Sequence, residues 1–145
     1  MKTRIGIIAV VMAAIMIVSA VGLCGCANIM GKAVSNGQGR TGIDFSDYGK
    51  PVSTSVHTSD VNTVTQFKMK LTNENAARKI KAVLDSKYTQ RDLAEGVPVF
   101  GDSDIRDDLD SMETERIYEG HDALGDFYIV ITHDRNRDPY LFYFG

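Results

Sequence analysis

After Met1-Lys2-Thr3-Arg4 the chain runs from Ile5 to Gly25 without a single charged side chain. That run exceeds the roughly 7 to 15 apolar residues of most secretory leaders. It approaches the roughly 20 residues that cross a bilayer as a helix. Lys2 and Arg4 ahead of it remain on the cytoplasmic side and orient the run, so that everything after it is delivered outward. From Ala27 to about Asp60 the pattern dissolves into Gly, Ser, Thr and Asn, with SNGQGRTG and PVSTSVHTSD as the clearest stretches. Neither a period of two nor one of 3.6 persists there, and too little apolar surface is available to offset the entropy of ordering. The expectation for residues 26–60 is a flexible tether, holding the remainder of the chain on the order of 30 Å from the bilayer. Ile43, Phe45 and Tyr48 alternate loosely inside it, enough to dock as an edge strand.

Periodicity returns at Gln66. Phe67, Met69 and Leu71 alternate with polar neighbours and predict a strand with one face wet. Thr72 and Asn73 offer N-caps to ENAARKIKAVLDSKY, where Ala76, Ala77, Ile80, Val83, Leu84 and Tyr88 recur at helical spacing. Glu74 and Arg78 stand four apart in the favourable order for an ion pair. The connector TQRDLAEGVPVFG, with Gly96, Pro98 and Gly101, reads as irregular, with room for a short extended piece at Val97 to Phe100. Next comes an acidic helix, capped by Asp102 or Ser103, with Ile105, Leu109 and Met112 on one face. The remainder reads as a β-meander of ERIYEG, DFYIVITH and YLFYFG, joined through His121–Gly125 and DRNRDP. Phe127 to Ile131 are apolar without a break, which places that strand mid-sheet with both faces covered. Pro139, lacking an amide donor, suits the start of the last strand. The predicted architecture is a small two-layer α+β domain over residues 61–145, a β-meander packed against one or two helices.

Charge and cysteine usage narrow the function classes. The net charge of −3 arises from 16 basic and 19 acidic side chains, and Lys2 and Arg4 belong to the leader. No basic face for nucleic acid is expected. Cys24 and Cys26 both lie at the end of the uncharged run, so residues 61–145 hold no cysteine for a disulfide, a thiol nucleophile or a zinc site.

Leu23-Cys24-Gly25-Cys26 resembles the lipobox of bacterial lipoproteins, in which an apolar residue, a variable small one and Gly or Ala precede the modified cysteine. The resemblance covers the leader alone. It implies a signal peptide over residues 1–25, cleavage between Gly25 and Cys26, and a diacylglycerol on the Cys26 thiol, leaving Cys26 as an acylated N-terminus. Cys24 departs from the usual occupant of the variable position, and the length of the run leaves an uncleaved signal anchor as the alternative. Both outcomes put an anchored domain outside the cytoplasmic membrane, in the cell envelope. Ala27, rather than Asp, after the cysteine resembles the sorting pattern for the outer membrane in a cell that has one.

Candidate chemistry is sparse. Asp102-x-Asp104-x-Arg106-Asp107-Asp108-x-Asp110-x-x-Glu113 puts oxygens at several ligand offsets of a calcium-binding EF-hand loop. Asp107 stands where that loop turns on Gly, however, and Arg106 stands where it needs an oxygen ligand. The period through Ile105, Leu109 and Met112 explains the same residues as a solvated helix. His121-Asp122 and His133-Asp134 flank one strand at opposite ends, too far apart to share a metal, and His57 lies in the tether. No hydrolase elbow, phosphate loop or zinc-protease motif is present, and no cofactor is implied. The aromatic residues Tyr118, Phe127, Tyr128, Tyr140, Phe142, Tyr143 and Phe144 crowd the last three strands. Alternation sends about half of them to each face, so that either one face is free to meet a partner or both are covered within the domain. These features predict a non-enzymatic module that binds another envelope protein through Tyr128, Tyr140 and Tyr143 and through Arg135 and Arg137 on the adjoining hairpin. The alternative is a small envelope hydrolase using carboxylates such as Asp102, Asp104 or Glu113.

Overall fold

The computed structural model describes residues 29–58, 60, 62–98 and 104–145. Its first element is a helix over residues 29–41, α1, which buries Ala33, Gly37 and Thr41 at intervals of one turn. Gly42, at φ 67°, ends it by donating its amide to the Gln38 carbonyl at 2.7 Å, a left-handed cap that suits glycine. A 3-10 turn at Phe45–Asp47, capped by the Asp44 carboxylate, leads into β1 (Gly49–Thr58) and β2 (Thr63–Leu71). Helix α2 (Glu74–Lys87) begins on Asn73, whose side chain accepts the Ala76 amide at 2.9 Å. Beyond it lie β3 (Thr89–Arg91), a 3-10 turn at Leu93–Glu95, α3 (Asp104–Asp110), β4 (Glu113–Asp122), β5 (Gly125–His133) and β6 (Pro139–Phe144).

All six strands join one antiparallel sheet in the order β1-β2-β6-β5-β4-β3. The fold is therefore α+β, with the expected meander β4-β5-β6 at its centre. β5 lies between β4 and β6 with Phe127 to Ile131 buried throughout, as a run apolar on both faces requires. On one face α1 and α2 cover Phe67, Met69, Phe127, Ile129, Ile131, Leu141 and Tyr143. On the other, Ile105 and Leu109 of α3, with Val97, cover Ile117, Tyr128, Val130, Phe142 and Phe144.

Three expectations need correction. The segment over residues 26–60 is not a tether from residue 29 onward: α1, Ile43 and Phe45 are built into the core, and β1 pairs with β2 along its length. The helix escapes a periodicity test because its buried stripe is made of small residues, which admit Phe67 and Phe45 to within contact of Gly37. β1 is an edge strand held by backbone pairing, and its Val, Ser and Thr residues suit a pleated, half-wet surface. Second, the predicted wet face of β2 is covered: Gln66 and Lys68 are buried. The Lys68 ammonium lies between the Asp108 carboxylate, at 2.8 Å, and the Tyr140 and Phe142 rings. Third, the connector contributes an edge strand, β3, where none was expected. Of its predicted extended piece, Val99 and Phe100 lie outside the described residues, as do the proposed caps Asp102 and Ser103.

Candidate functional site

The β5–β6 connection is a tight tip closed by hydrogen bonds to Asp134. Asp134 Oδ1 accepts the amides of Asn136 at 2.8 Å and Asp138 at 2.9 Å. The Arg137 amide donates to the Asp134 carbonyl at 2.9 Å, and the Asp134 amide to the Asp138 carbonyl at 3.0 Å. These bonds hold Arg137 at φ 68°, the left-handed region that a β-carbon disfavours by ~1–2 kcal/mol. It is the one non-glycine residue with positive φ among those described. Arg135 and Asn136 are exposed on this frame. Arg137 reaches back to Glu113 of β4 at 3.0 Å. Beneath the tip, Lys70 donates to Asp138 at 2.7 Å, and that bond raises the lysine pKa above its ordinary value.

A recess flanks the tip on either side. One is a cleft of about 530 Å³ lined by Glu74, Lys81, Glu113, Glu115, His133 and Arg137. In it the nearly buried His133 ring stands between two carboxylates, with Nε2 at 2.9 Å from Glu74 and Nδ1 at 3.6 Å from Glu115. Glu115 is in turn paired with Lys81. The other recess is bounded by Ser111, Met112 and residues Asp134 to Asn136 of the tip itself. The tip thus stands proud between two polar depressions, presenting guanidinium and amide donors on a rigid loop.

A larger cavity, of about 840 Å³, opens at the other end of the sheet between α1, the start of β2 and the β4–β5 turn. Its wall is built on Arg40, whose guanidinium bonds both oxygens of Asp122, at 2.8 and 2.7 Å, and the Gly125 carbonyl at 2.8 Å. Those bonds hold the Asp122 carboxyl well below the usual range, at about 2, aided by the Leu124 amide. The same guanidinium lies over the Phe127 ring, 5.1 Å from its centroid. Close by, the Tyr143 hydroxyl is buried and pushed up to about 12 by desolvation, against the pull of Arg40.

Of the residues expected to meet a partner, Arg135 and Arg137 share the exposed tip. Tyr140 is half-buried at its base, with Lys68 and Lys70 over its ring. Tyr128 and Tyr143 do not join them: they are 3% and 0% exposed and point to opposite faces of the sheet. Because α3 and the Val97 segment cover the second face, no aromatic sheet surface is left for a partner. Gly25 and Cys26 lie outside the described residues. Asp102 does too, while Asp104 is exposed on the first turn of α3 and Glu113 is engaged by Arg137. The acidic segment is helical from Asp104 to Asp110, with Ile105 and Leu109 buried. His121 bonds Asp126 at one end of the β4–β5 hairpin and His133 bonds Glu74 at the other. Among the described residues no group of three or more His, Cys, Asp and Glu side chains is disposed to hold a metal.

Arg40, Asp122 and the group around His133 escape sequence reasoning altogether. Arg40 and Asp122 are 82 positions apart and His133 and Glu74 are 59 apart, and no local spacing marks them.

Compared with protein-family models, curated proteins and solved structures, the chain finds no match. Among the described residues no helix is long and apolar enough to cross a membrane, and residues 1–28 lie outside them.

Proposed function

We propose that this chain is a membrane-anchored extracytoplasmic lipoprotein, acylated at Cys26, whose domain is a protein-binding module of the cell envelope. The anchor is supported by the two cations, the long uncharged run and the Leu23-Cys24-Gly25-Cys26 lipobox. An acyl chain gains ~0.8 kcal/mol per buried methylene, so two or three chains hold a protein on a bilayer durably. Binding is supported by one observation above others, the rigid Asp134–Asp138 tip. There a β-branch-free but bulky Arg137 occupies a left-handed position, and two guanidinium groups stand between two recesses. Strained, over-determined backbone gathers where side chains are held ready for contact, and arginine is a frequent anchor at interfaces. A preformed tip also loses little entropy on association.

The alternative, a hydrolase working through Asp102, Asp104 or Glu113, has less to rest on. Asp104 is solvent-exposed, Glu113 is an exposed carboxylate paired with Arg137, and the nearby His133 has both ring nitrogens facing carboxylates.

The test is a pull-down from envelope extracts with the full chain, Arg135→Glu and Arg137→Gly. Arg137→Gly relieves the left-handed strain, so it keeps the fold while removing one guanidinium. A specific protein retained by the parent and lost by both variants is the expected result. Equal retention by all three, or none by any, would remove the tip from the function. Mass spectrometry of the parent and Cys26→Ser checks the anchor: an acylated chain shortened to Cys26 is expected in the parent alone.

A further inference from the structure

We propose that the domain rests directly on the bilayer, with the first turn of α1 and the neighbouring edge of β1 seated in the lipid interface. This rests on the anchored reading above. Only Ala27 and Asn28 separate Cys26 from Ile29, the first described residue of α1. Even fully extended, those three steps reach no more than about 11 Å at ~3.6 Å per residue. A headgroup layer is itself roughly 5–7 Å thick, from the difference between the whole bilayer and its hydrocarbon core. The start of α1 therefore cannot leave the neighbourhood of the headgroups, whether the membrane is held by acyl chains on Cys26 or by an uncleaved run ending at Gly25.

The packing of α1 fixes which surface faces the lipid. Its last turn is tied to the β4–β5 turn through Arg40, and Asn36 one turn earlier donates to Thr65 of β2 at 3.2 Å. Traced backwards, these contacts step from the β4–β5 turn to β2, the side of the sheet on which β1 is the edge strand, and Val56 of β1 is the cross-strand neighbour of Thr65. Five large apolar side chains are exposed among the described residues, and three of them, Ile29, Val52 and Val56, lie on this first turn or on β1. Ile29 is 53% exposed and Val56 39%. Lys32, exposed on the next turn, can carry its ammonium to the headgroups while its stem lies along the interface. The other two exposed apolar residues, Leu93 and Leu124, are elsewhere. Leu93 comes just after β3, at the far edge of a six-stranded sheet and roughly 24 Å away at ~4.8 Å per strand spacing.

The chain contains no tryptophan, so Ile29→Trp and Leu93→Trp each give a single indole reporter. Both variants, as the full acylated chain, are placed on phosphatidylcholine and phosphatidylglycerol vesicles carrying a nitroxide at a shallow acyl position. The expected result is a blue-shifted emission and loss of fluorescence at position 29, with neither at position 93. A Gly/Ser insert of about 20 residues between Asn28 and Ile29 moves the mean separation to roughly 25 Å and should restore the signal. A vesicle-bound chain whose indole at position 29 stays unquenched, or is quenched no more than the one at position 93, overturns the inference while leaving the anchor intact. A chain that fails to float with vesicles and carries no acyl mass overturns the anchor, and the inference falls with it. If Ile29→Trp disturbs the fold, Val56→Trp reports on the exposed β1 edge.

Discussion

Arg40 and Asp122 are 82 positions apart, yet they form the bond that ties the last turn of α1 to the sheet. The guanidinium meets both carboxylate oxygens and a main-chain carbonyl, in the fork geometry that suits arginine and not lysine. Its side chain is 12% exposed and that of Asp122 29%, so solvent screens the pair only in part. Because the folded carboxyl titrates at about 2, below its unfolded value of about 3.9, the stability it contributes is fully present above that unfolded value. It is lost as the pH falls through about 2. Asp122→Asn should cost about 1–2 kcal/mol at pH 7, the usual worth of a hydrogen bond to a charged group after screening. The gap from the parent should narrow between roughly pH 4 and 2. Urea unfolding of both proteins across that range measures it, and a gap that does not change with pH would mean that the carboxylate charge is not what holds α1. None of this was legible in the sequence, where Asp122 reads as a turn residue beside His121 and Arg40 as one charge in a Gly-rich stretch.

At the scale of elements, legibility tracks the size of the buried side chains. α2 carries large apolar residues at helical spacing, and Ala77, Ile80 and Leu84 are the ones that pack inward, under an Asn73 cap. β5 is apolar without a break and is central. α1 buries only Ala33, Gly37 and Thr41, so its stripe carries almost no hydrophobic signal, although Gly42 marks its end. Small residues matter here because a partner fills the space: the Phe67 ring comes to 2.7 Å of where a β-carbon on Gly37 would stand. The same device operates in the sheet, where the Phe127 ring covers its cross-strand partner Gly120 and fills the space a β-carbon there would need. Phe127 is packed edge-on against Tyr88 and under Arg40, so it cannot swing away freely. Gly120→Ala should therefore destabilise the fold by about 1–3 kcal/mol, the usual cost of overpacking. Thermal unfolding of the variant checks this, and a midpoint equal to the parent's would show that the ring yields.

For the whole molecule, the boundary of the folding unit is the chief consequence. A fragment of residues 61–145 contains the strands and both helices expected from periodicity, but it lacks α1, Phe45 and β1. Without them the Phe67, Met69 and Leu71 face of β2 is opened to water and β2 becomes an unprotected edge. That fragment should aggregate or remain unfolded, while residues 27–145 should fold cooperatively. Circular dichroism and size-exclusion chromatography of the two fragments measure the difference, and a monomeric, cooperatively melting 61–145 would show that α1 and β1 are accessory. The same boundary leaves only Ala27 and Asn28 between Cys26 and the first described residue of the domain, in place of a free tether expected to reach on the order of 30 Å.

The sequence by itself determined the uncharged N-terminal run, the α+β class, the central meander and the exposed arginine tip, because each is written in neighbouring residues through composition, periodicity or turn chemistry. Only the tertiary structure decided that the polar stretch after residue 28 folds, that Tyr128 and Tyr143 are interior, and that Arg40 meets Asp122 and His133 meets Glu74 and Glu115. Those outcomes depend on which surfaces cover one another. A small-residue helix or an edge strand becomes stable through what it packs against, and an aromatic face is buried or exposed according to whether a distant helix lies over it.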